Sequence, residues 1–126
     1  MPGSVKELLA AANECVPKIS PEEAKRLVQE EDALLVDVRD APELDSSGCL
    51  AGALNVSRGM LEFRADGSSP YHNPEFRAER PVILYCASGG RACLSGKALQ
   101  DLGYTRVYNL GGFKEAAEAG FPTRDQ

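Results

Sequence analysis

The stretch Pro81-Val82-Ile83-Leu84-Tyr85-Cys86-Ala87-Ser88-Gly89-Gly90-Arg91 decides both the fold class and the candidate site. Residues 81–85 form a nearly continuous apolar run, which is typical of a strand that is covered on both faces in a parallel sheet. Two glycines and an arginine follow, and apolar residues then recur at helical spacing as far as residue 103. The pattern predicts a buried strand, a tight loop and a helix, with Cys86 at the carboxyl end of the strand.

Similar segments flank this stretch. Strands are predicted at residues 33–38, 53–56 and 105–110, and helices at residues 4–14, 20–32, 90–103 and 113–119. Ser20 and Pro21 are a typical helix start, and Gly111-Gly112 predicts a turn. Because strands alternate with helices, the sequence predicts an α/β fold: a central parallel sheet of about five short strands, flanked by helices on both faces.

The chain length predicts one domain. Its 126 residues suit a single core, expected at about residues 19–122, with an N-terminal helical extension over residues 1–16. Hydrophobic residues make up 43% and charged residues 26%, which is a globular rather than a disordered balance. The connection over residues 57–80 contains glycine and prolines, and its length predicts a cover or rim of a functional site.

Charge and hydropathy argue against several functions. The net charge of −5 disfavours a nucleic-acid or anionic-membrane partner, because phosphate binding is driven by a basic face. No stretch approaches the ~20 apolar residues of a membrane span. The first residues lack the pattern of a secretory signal, so we expect a cytoplasmic location, where cysteines usually remain thiols.

The four cysteines are Cys15, Cys49, Cys86 and Cys93. Two disulfides are disfavoured because no export signal accompanies the even count. Zinc is disfavoured because no Cys-x-x-Cys pair occurs and His72 is the only histidine. We therefore expect neither a metal nor a cofactor.

Cys86 is the candidate nucleophile. Ligands of open α/β sheets bind beyond the carboxyl ends of the strands, where this residue lies. The loop that follows can direct successive N–H groups at one anion, since Gly89 and Gly90 allow positive φ angles; its residues are Ala87, Ser88, Gly89, Gly90 and Arg91. These amides, the helix dipole and Arg91 should stabilise a thiolate without a histidine base. The alternative is a buried cysteine that only ends a strand.

The sequence resembles the rhodanese (sulfurtransferase) family, as a single-domain member, over about residues 19–122. Five motifs in order carry the resemblance: Leu35 to Arg39 with Glu43, Ser47 to Ala53, Tyr85 to Arg91, Leu102 to Gly112, and Ala119 to Pro122. Three supporting positions depart from the family pattern. Cys49 stands where histidine is usual, Ala51 where proline is usual, and Ala116 where tryptophan is frequent.

The resemblance implies an enzyme that moves a sulfane sulfur through a Cys86 persulfide. The partners would be a small-molecule donor such as thiosulfate and a thiol or cyanide acceptor, including a thiol-carrying protein. Cys86 to Arg91 is Cys-x4-Arg, the loop length associated with sulfur transfer, whereas phosphatases and arsenate reductases on this fold carry Cys-x5-Arg. A non-catalytic binding or regulatory module is the main alternative, and a cysteine phosphatase or arsenate reductase is the second.

Supporting roles are predicted for five residues. Arg91 is expected to clamp an anion and organise the loop. Asp37 and Arg39 look like framework residues, with Arg39 pairing with a nearby carboxylate or pointing into the site. Arg58 would either reach a donor anion or face solvent. Cys93 would either resolve the persulfide as a disulfide or pack in the core.

Overall fold

The computed structural model describes residues 3–125. Helices occupy α1 (Val5–Cys15), α2 (Pro21–Glu31), α3 (Ala41–Ser47), α4 (Leu61–Ala65), α5 (Gly90–Asp101) and α6 (Phe113–Glu118), with a 3₁₀ turn at Arg58–Met60. Strands occupy β1 (Leu34–Asp37), β2 (Cys49–Leu50), β3 (Leu54–Asn55), β4 (Val82–Cys86), β5 (Val107–Gly112) and β6 (Thr123–Arg124). In this part of the chain, no helix combines the length and the apolar character that a membrane span requires.

The main sheet is parallel. Its four strands follow the order β3-β1-β4-β5, while β2 and β6 form a separate antiparallel pair. The predicted α/β fold with a parallel sheet flanked by helices is confirmed, with four strands rather than about five. Beyond β5, Lys18 makes an isolated parallel bridge to Asn109. Pro17 lacks an N–H and α2 begins at Pro21, so the intervening segment is too short to become a fifth strand.

Side chains of β1 and β4 alternate between two apolar clusters, as the pleat of a strand requires. Val36, Leu84 and Cys86 belong to the cluster that also holds Leu99 of α5. Leu35, Ile83 and Tyr85 belong to the opposite cluster, with Leu27 of α2 and Ala116 of α6. Both central strands are thus buried on both faces, in agreement with their continuous apolar sequences.

The connection over residues 57–80 is more ordered than the sequence predicts. It begins with the 3₁₀ turn and α4, and Leu61, Ala65 and Phe76 are buried in the core. The ring of Phe76 packs edge-on against Tyr104, with the ring centroids 6.5 Å apart. The segment therefore supplies core side chains.

One local prediction is wrong, and one helix is not predicted. Gly111 and Gly112 do not form a turn but are the last residues of β5, where they lie beside Tyr85 and Cys86. The sequence pattern also does not predict α3, whose start at Asp40 has a capping box with Glu43. Both differences have one physical cause, because short elements that are held by neighbouring segments leave little periodicity in the sequence.

Candidate active site

Cys86 ends β4 at the carboxyl edge of the sheet, and only 1% of the residue is exposed. The N–H of Gly89 donates a hydrogen bond to Cys86 Sγ over 3.0 Å. Gly89 reaches this position with φ of 104°, a conformation that side chains other than glycine rarely adopt. The chain after β4 therefore turns back on itself and directs an amide at the sulfur.

The geometry of the rest of the loop differs from the prediction at Gly90. Gly90 is not a positive-φ residue, because it is the first residue of α5 and has helical geometry. Ala87 and Ser88 are exposed at the loop tip. The first N–H groups of α5 have no acceptor within the helix, so they remain available to an anion held above Cys86.

Gly112 closes one wall of the cradle. It pairs with Cys86 across the β4–β5 ladder. A Cβ atom at Gly112 would lie 2.5 Å from the carbonyl oxygen of Ala87, so any larger residue would push the loop away. Position 112 therefore has to be a glycine, because the backbone of the loop passes too close for a side chain.

Asn109 connects β5 to the loop, a role that sequence reasoning missed. Its side-chain amide donates to the Gly89 carbonyl over 3.2 Å, and its Oδ1 accepts the Gly111 N–H over 2.8 Å. The side chain is buried. The Asn109 N–H donates to the Pro17 carbonyl, and the Asn109 carbonyl accepts from the Ile19 N–H. The spacing of Asn109 and Gly111 signals a local Asx turn, but nothing in the sequence indicates the contact with Gly89.

Replacement of this amide should loosen the cradle. In Asn109→Ala the Gly89 carbonyl loses its side-chain donor, which should cost about 1–3 kcal/mol of unfolding free energy. We also expect iodoacetamide to alkylate Cys86 more slowly, because Asn109 no longer fixes the position of Gly89, whose amide faces the sulfur. Peptide mass mapping measures the alkylation rate of Cys86. Asn55→Ala removes comparable amide–carbonyl bonds, to Asp37 and Arg39, and is the control. Equal Cys86 alkylation rates in the two variants would contradict this role.

Arg91 lies at the far end of the loop and is bound to Glu43 of α3. Its two terminal nitrogens lie 2.8 and 2.9 Å from the two carboxylate oxygens, a bidentate pair. This hydrogen bonding by Arg91, aided by the N–H of Asp40, lowers the pKa of Glu43 to about 2. The predicted loop-organising role of Arg91 stays a prediction, and its bond to Glu43 links the loop to α3. Its predicted role as an anion clamp remains a prediction, since both terminal nitrogens contact Glu43.

The Glu43 carboxylate should make part of the stability depend on pH. Its pKa is depressed in the folded protein, so its contribution is present above the unfolded value near 4.5 and is lost as pH falls towards about 2. Both side chains are about one-third exposed, so solvent screening limits the effect to about 1 kcal/mol or less. In urea unfolding, Glu43→Gln should be less stable than the native chain at pH 6. That difference should shrink between pH 4.5 and 2.

The control for this pH effect is Glu118→Gln, which neutralises an exposed carboxylate on α6. We expect its unfolding free energy to follow the native pH profile. A Glu43→Gln profile that runs parallel to the native one across the same interval would show that the Arg91 pair adds no pH-dependent stability.

Asp37 and Arg39 form a buried ion pair beneath the site. The Arg39 guanidinium donates to both Asp37 oxygens, and the exposed fractions of the two side chains are 3% and 0%. It also donates to Ser47 Oγ and the Gly48 carbonyl, each over 2.8 Å. The guanidinium lies 4.7 Å from the centroid of the Phe113 ring. Arg39 therefore braces the chain after β1, and the structure does not bring it to the mouth of the cradle.

The remaining predicted residues lie apart from the sulfur. Arg58 binds Glu62 of α4 over 2.8 Å. Cys93 is buried under α1, and its Sγ lies 3.2 Å from Asn13 Oδ1. Burial raises the pKa of the Cys93 thiol. To resolve the persulfide, the Cys93 thiol would have to move out of its contact with α1. The resolving role of Cys93 remains a prediction.

The departures from the family pattern have structural consequences. The N–H of Ala51 donates to the Pro122 carbonyl over 2.8 Å, a bond that a proline at this position could not make. Cys49 is buried on β2, with its Sγ 3.5 Å from an Arg124 nitrogen on β6. Ala116 is buried in the cluster around Tyr85. All three changes affect the packing of the C-terminal segment and leave the Cys86 loop intact.

Comparison with known proteins identifies relatives over most of the chain. The sequence matches the rhodanese-like domain family over residues 20–119. It is 31% identical to the thiosulfate sulfurtransferase GlpE of Coxiella burnetii, over 86% of this chain and 92% of that protein.

Two solved structures share the fold. One, from Rhodopseudomonas palustris, is a protein of unknown function that is described as a possible tyrosine phosphatase; it has a TM-score of 0.86 and 34% identity, over 98% of this chain and 99% of that chain. The other is the polysulfide-sulfur transferase homodimer of Wolinella succinogenes, with a TM-score of 0.76 and 34% identity, over 96% of this chain and 87% of that chain.

Proposed function

The chain belongs to the family of rhodanese-like domains, and from that premise we propose that it is a sulfurtransferase that carries a sulfane sulfur on Cys86. The observation that carries the proposal is the Gly89 N–H that points at Cys86 Sγ over 3.0 Å at the head of α5. An amide and a helix N-terminus stabilise negative charge on sulfur, both in the thiolate and in a persulfide.

The reaction would be a double displacement. The Cys86 thiolate attacks the outer sulfur of a donor such as thiosulfate, a new S–S bond forms, and sulfite leaves with the electron pair of the broken bond. An acceptor thiolate or cyanide then attacks the outer sulfur of the Cys86 persulfide. The Cys86–sulfur bond breaks and its electron pair returns to the thiolate, so the cycle needs no external oxidant or reductant.

Polysulfide is a second donor of the same chemical class. The Coxiella relative is named for thiosulfate, whereas the Wolinella protein is named for polysulfide. Both compounds present a sulfane sulfur to a thiolate, so they share the first step proposed above. A cytoplasmic location belongs to the same proposal, since reduced thiols are the acceptors available there.

Two features support sulfur transfer over phosphate hydrolysis. Cys86 and Arg91 are spaced as Cys-x4-Arg, one residue shorter than the phosphatase loop. The Arg91 guanidinium is also bound in bidentate fashion by Glu43, so its two terminal donors are not directed at a phosphoryl group. The regulatory-module alternative is disfavoured because Cys86, Gly89 and Arg91 are all retained in an ordered cradle.

Steady-state kinetics test the proposal. We expect transfer of sulfur from thiosulfate or polysulfide to cyanide or dithiothreitol, with the parallel double-reciprocal lines of a ping-pong reaction. Cys86-dependent hydrolysis of an aryl phosphate, without sulfur transfer, would replace the proposal with a phosphatase. A folded chain that performs neither reaction would instead support the binding-module alternative.

A further inference from the structure

A pocket of about 340 Å³ lies between the Cys86 loop and the N-terminal segment. Its lining includes Ser88, Gly89 and Gly90 of the loop and, from the N-terminal segment, Asn13 and Lys18. The pocket borders the cradle through Gly89, the same residue whose N–H donates to Cys86 Sγ. A molecule in the pocket would therefore contact the same loop whose amide faces the sulfur.

Among the described residues that line this pocket, Lys18 alone is charged. Within residues 3–125, no salt bridge involves its ammonium group, whereas the Arg91 guanidinium is bound to Glu43. Lys18 lines the pocket together with the Cys93 thiol and the loop glycines Gly89 and Gly90. The unpaired cation beside the loop is therefore Lys18 rather than Arg91.

We propose that this pocket binds the anionic, non-reacting end of the sulfur acceptor, a small thiol that bears a carboxylate, and that Lys18 pairs with that carboxylate. The inference rests on the proposed sulfurtransferase function. A pocket of about 340 Å³ is larger than thiosulfate needs, and the sulfite part of that donor is attached directly to the reacting sulfur. An acceptor thiol with a several-atom backbone instead has a separate end to bind.

The step itself is balanced. The acceptor thiolate attacks the outer sulfur of the Cys86 persulfide and forms a new S–S bond. The Cys86–sulfur bond breaks and Cys86 leaves as a thiolate, while the acceptor has already released its thiol proton to solvent. Lys18 takes no part in the bond changes, so it acts as a specificity residue that lowers KM for anionic acceptors.

The test uses two acceptors of matched size, N-acetylcysteine, which carries a carboxylate, and its neutral amide. In Lys18→Met we expect the ratio of the KM for N-acetylcysteine to the KM for the amide to rise by about 1.5-fold to fivefold, the range of an exposed ion pair. Lys18→Arg should restore the native ratio. Lys25→Met, which removes an equal charge from α2 outside this pocket, should leave the ratio unchanged.

The outcomes separate this inference from the function on which it rests. If the native chain transfers sulfur to the amide but Lys18→Met leaves the KM ratio unchanged, the pocket proposal is overturned and the sulfurtransferase proposal stands. An equal rise in Lys25→Met would also overturn it, because the effect would then come from overall charge. If the native chain transfers sulfur to no acceptor, the sulfurtransferase proposal itself fails.

Discussion

The Cys86→Ser protein should lose sulfur transfer from thiosulfate to cyanide, with a fall in rate of about a thousandfold or more, to the uncatalysed level. A serine hydroxyl is not ionised at neutral pH and cannot form a persulfide, although it fits the same buried position at the end of β4. Thiocyanate formation is the measurement. Circular dichroism and the unfolding midpoint should confirm that the variant remains folded.

Other cysteines provide the matched controls for this loss. Cys15→Ser changes an exposed thiol at the end of α1 and should keep the native rate. Cys93→Ser should also keep it, because its thiol faces Asn13 of α1. A Cys86→Ser protein with more than a few per cent of the native rate would contradict the assignment of the nucleophile. Slow turnover by Cys93→Ser, with an intramolecular disulfide in the native chain, would establish the resolving role instead.

The Arg39→Met protein should lose about 3–5 kcal/mol of unfolding free energy, the cost of leaving a buried charge unpaired. Asp37 is fully buried and would keep its carboxylate without the guanidinium that now binds both oxygens. Ser47 Oγ and the Gly48 carbonyl would each also lose the hydrogen bond that the guanidinium donates. Since a domain of this size has about 5–15 kcal/mol of stability, the variant should be close to its unfolding threshold. Urea unfolding measures the change.

A second variant keeps this prediction testable if Arg39→Met does not fold. The double variant Asp37→Asn/Arg39→Met removes both charges, so we expect it to be more stable than Arg39→Met alone. The surface control is Arg26→Met, which breaks an exposed pair with Glu23 and should cost about 1 kcal/mol or less. If Arg39→Met loses only about 1 kcal/mol of unfolding free energy, as the surface control should, the bracing role of Arg39 is contradicted.

The strand and loop around Cys86 could be predicted because the information is local. The continuous apolar run of β4 predicts a strand buried on both faces, and the structure has five buried residues there. Gly89 and Gly90 after Cys86 predict a tight loop before a helix, which begins at Gly90. The sequence thus predicts where the sulfur lies and which loop surrounds it.

The contacts that hold the loop could not be predicted, since they join distant parts of the chain. Glu43 and Arg91 are 48 positions apart, and Asn109 and Gly89 are 20 apart. No periodic pattern encodes such a pair, because the same side chains could satisfy several partners until the sheet order is known. The strand β2 escaped prediction for the same reason, since its two residues are defined by pairing with β6 near the C-terminus.

Intact mass spectrometry addresses the persulfide itself. The native chain is incubated with thiosulfate and separated from excess donor, and its intact mass is measured. The Cys86→Ser protein is treated and measured in the same way. We predict a gain of one sulfur on the native chain, its removal by dithiothreitol or cyanide, and no gain on Cys86→Ser. A folded native chain that gains no sulfur from thiosulfate or polysulfide, or a Cys86→Ser protein that gains as much as the native chain, would contradict the persulfide assignment.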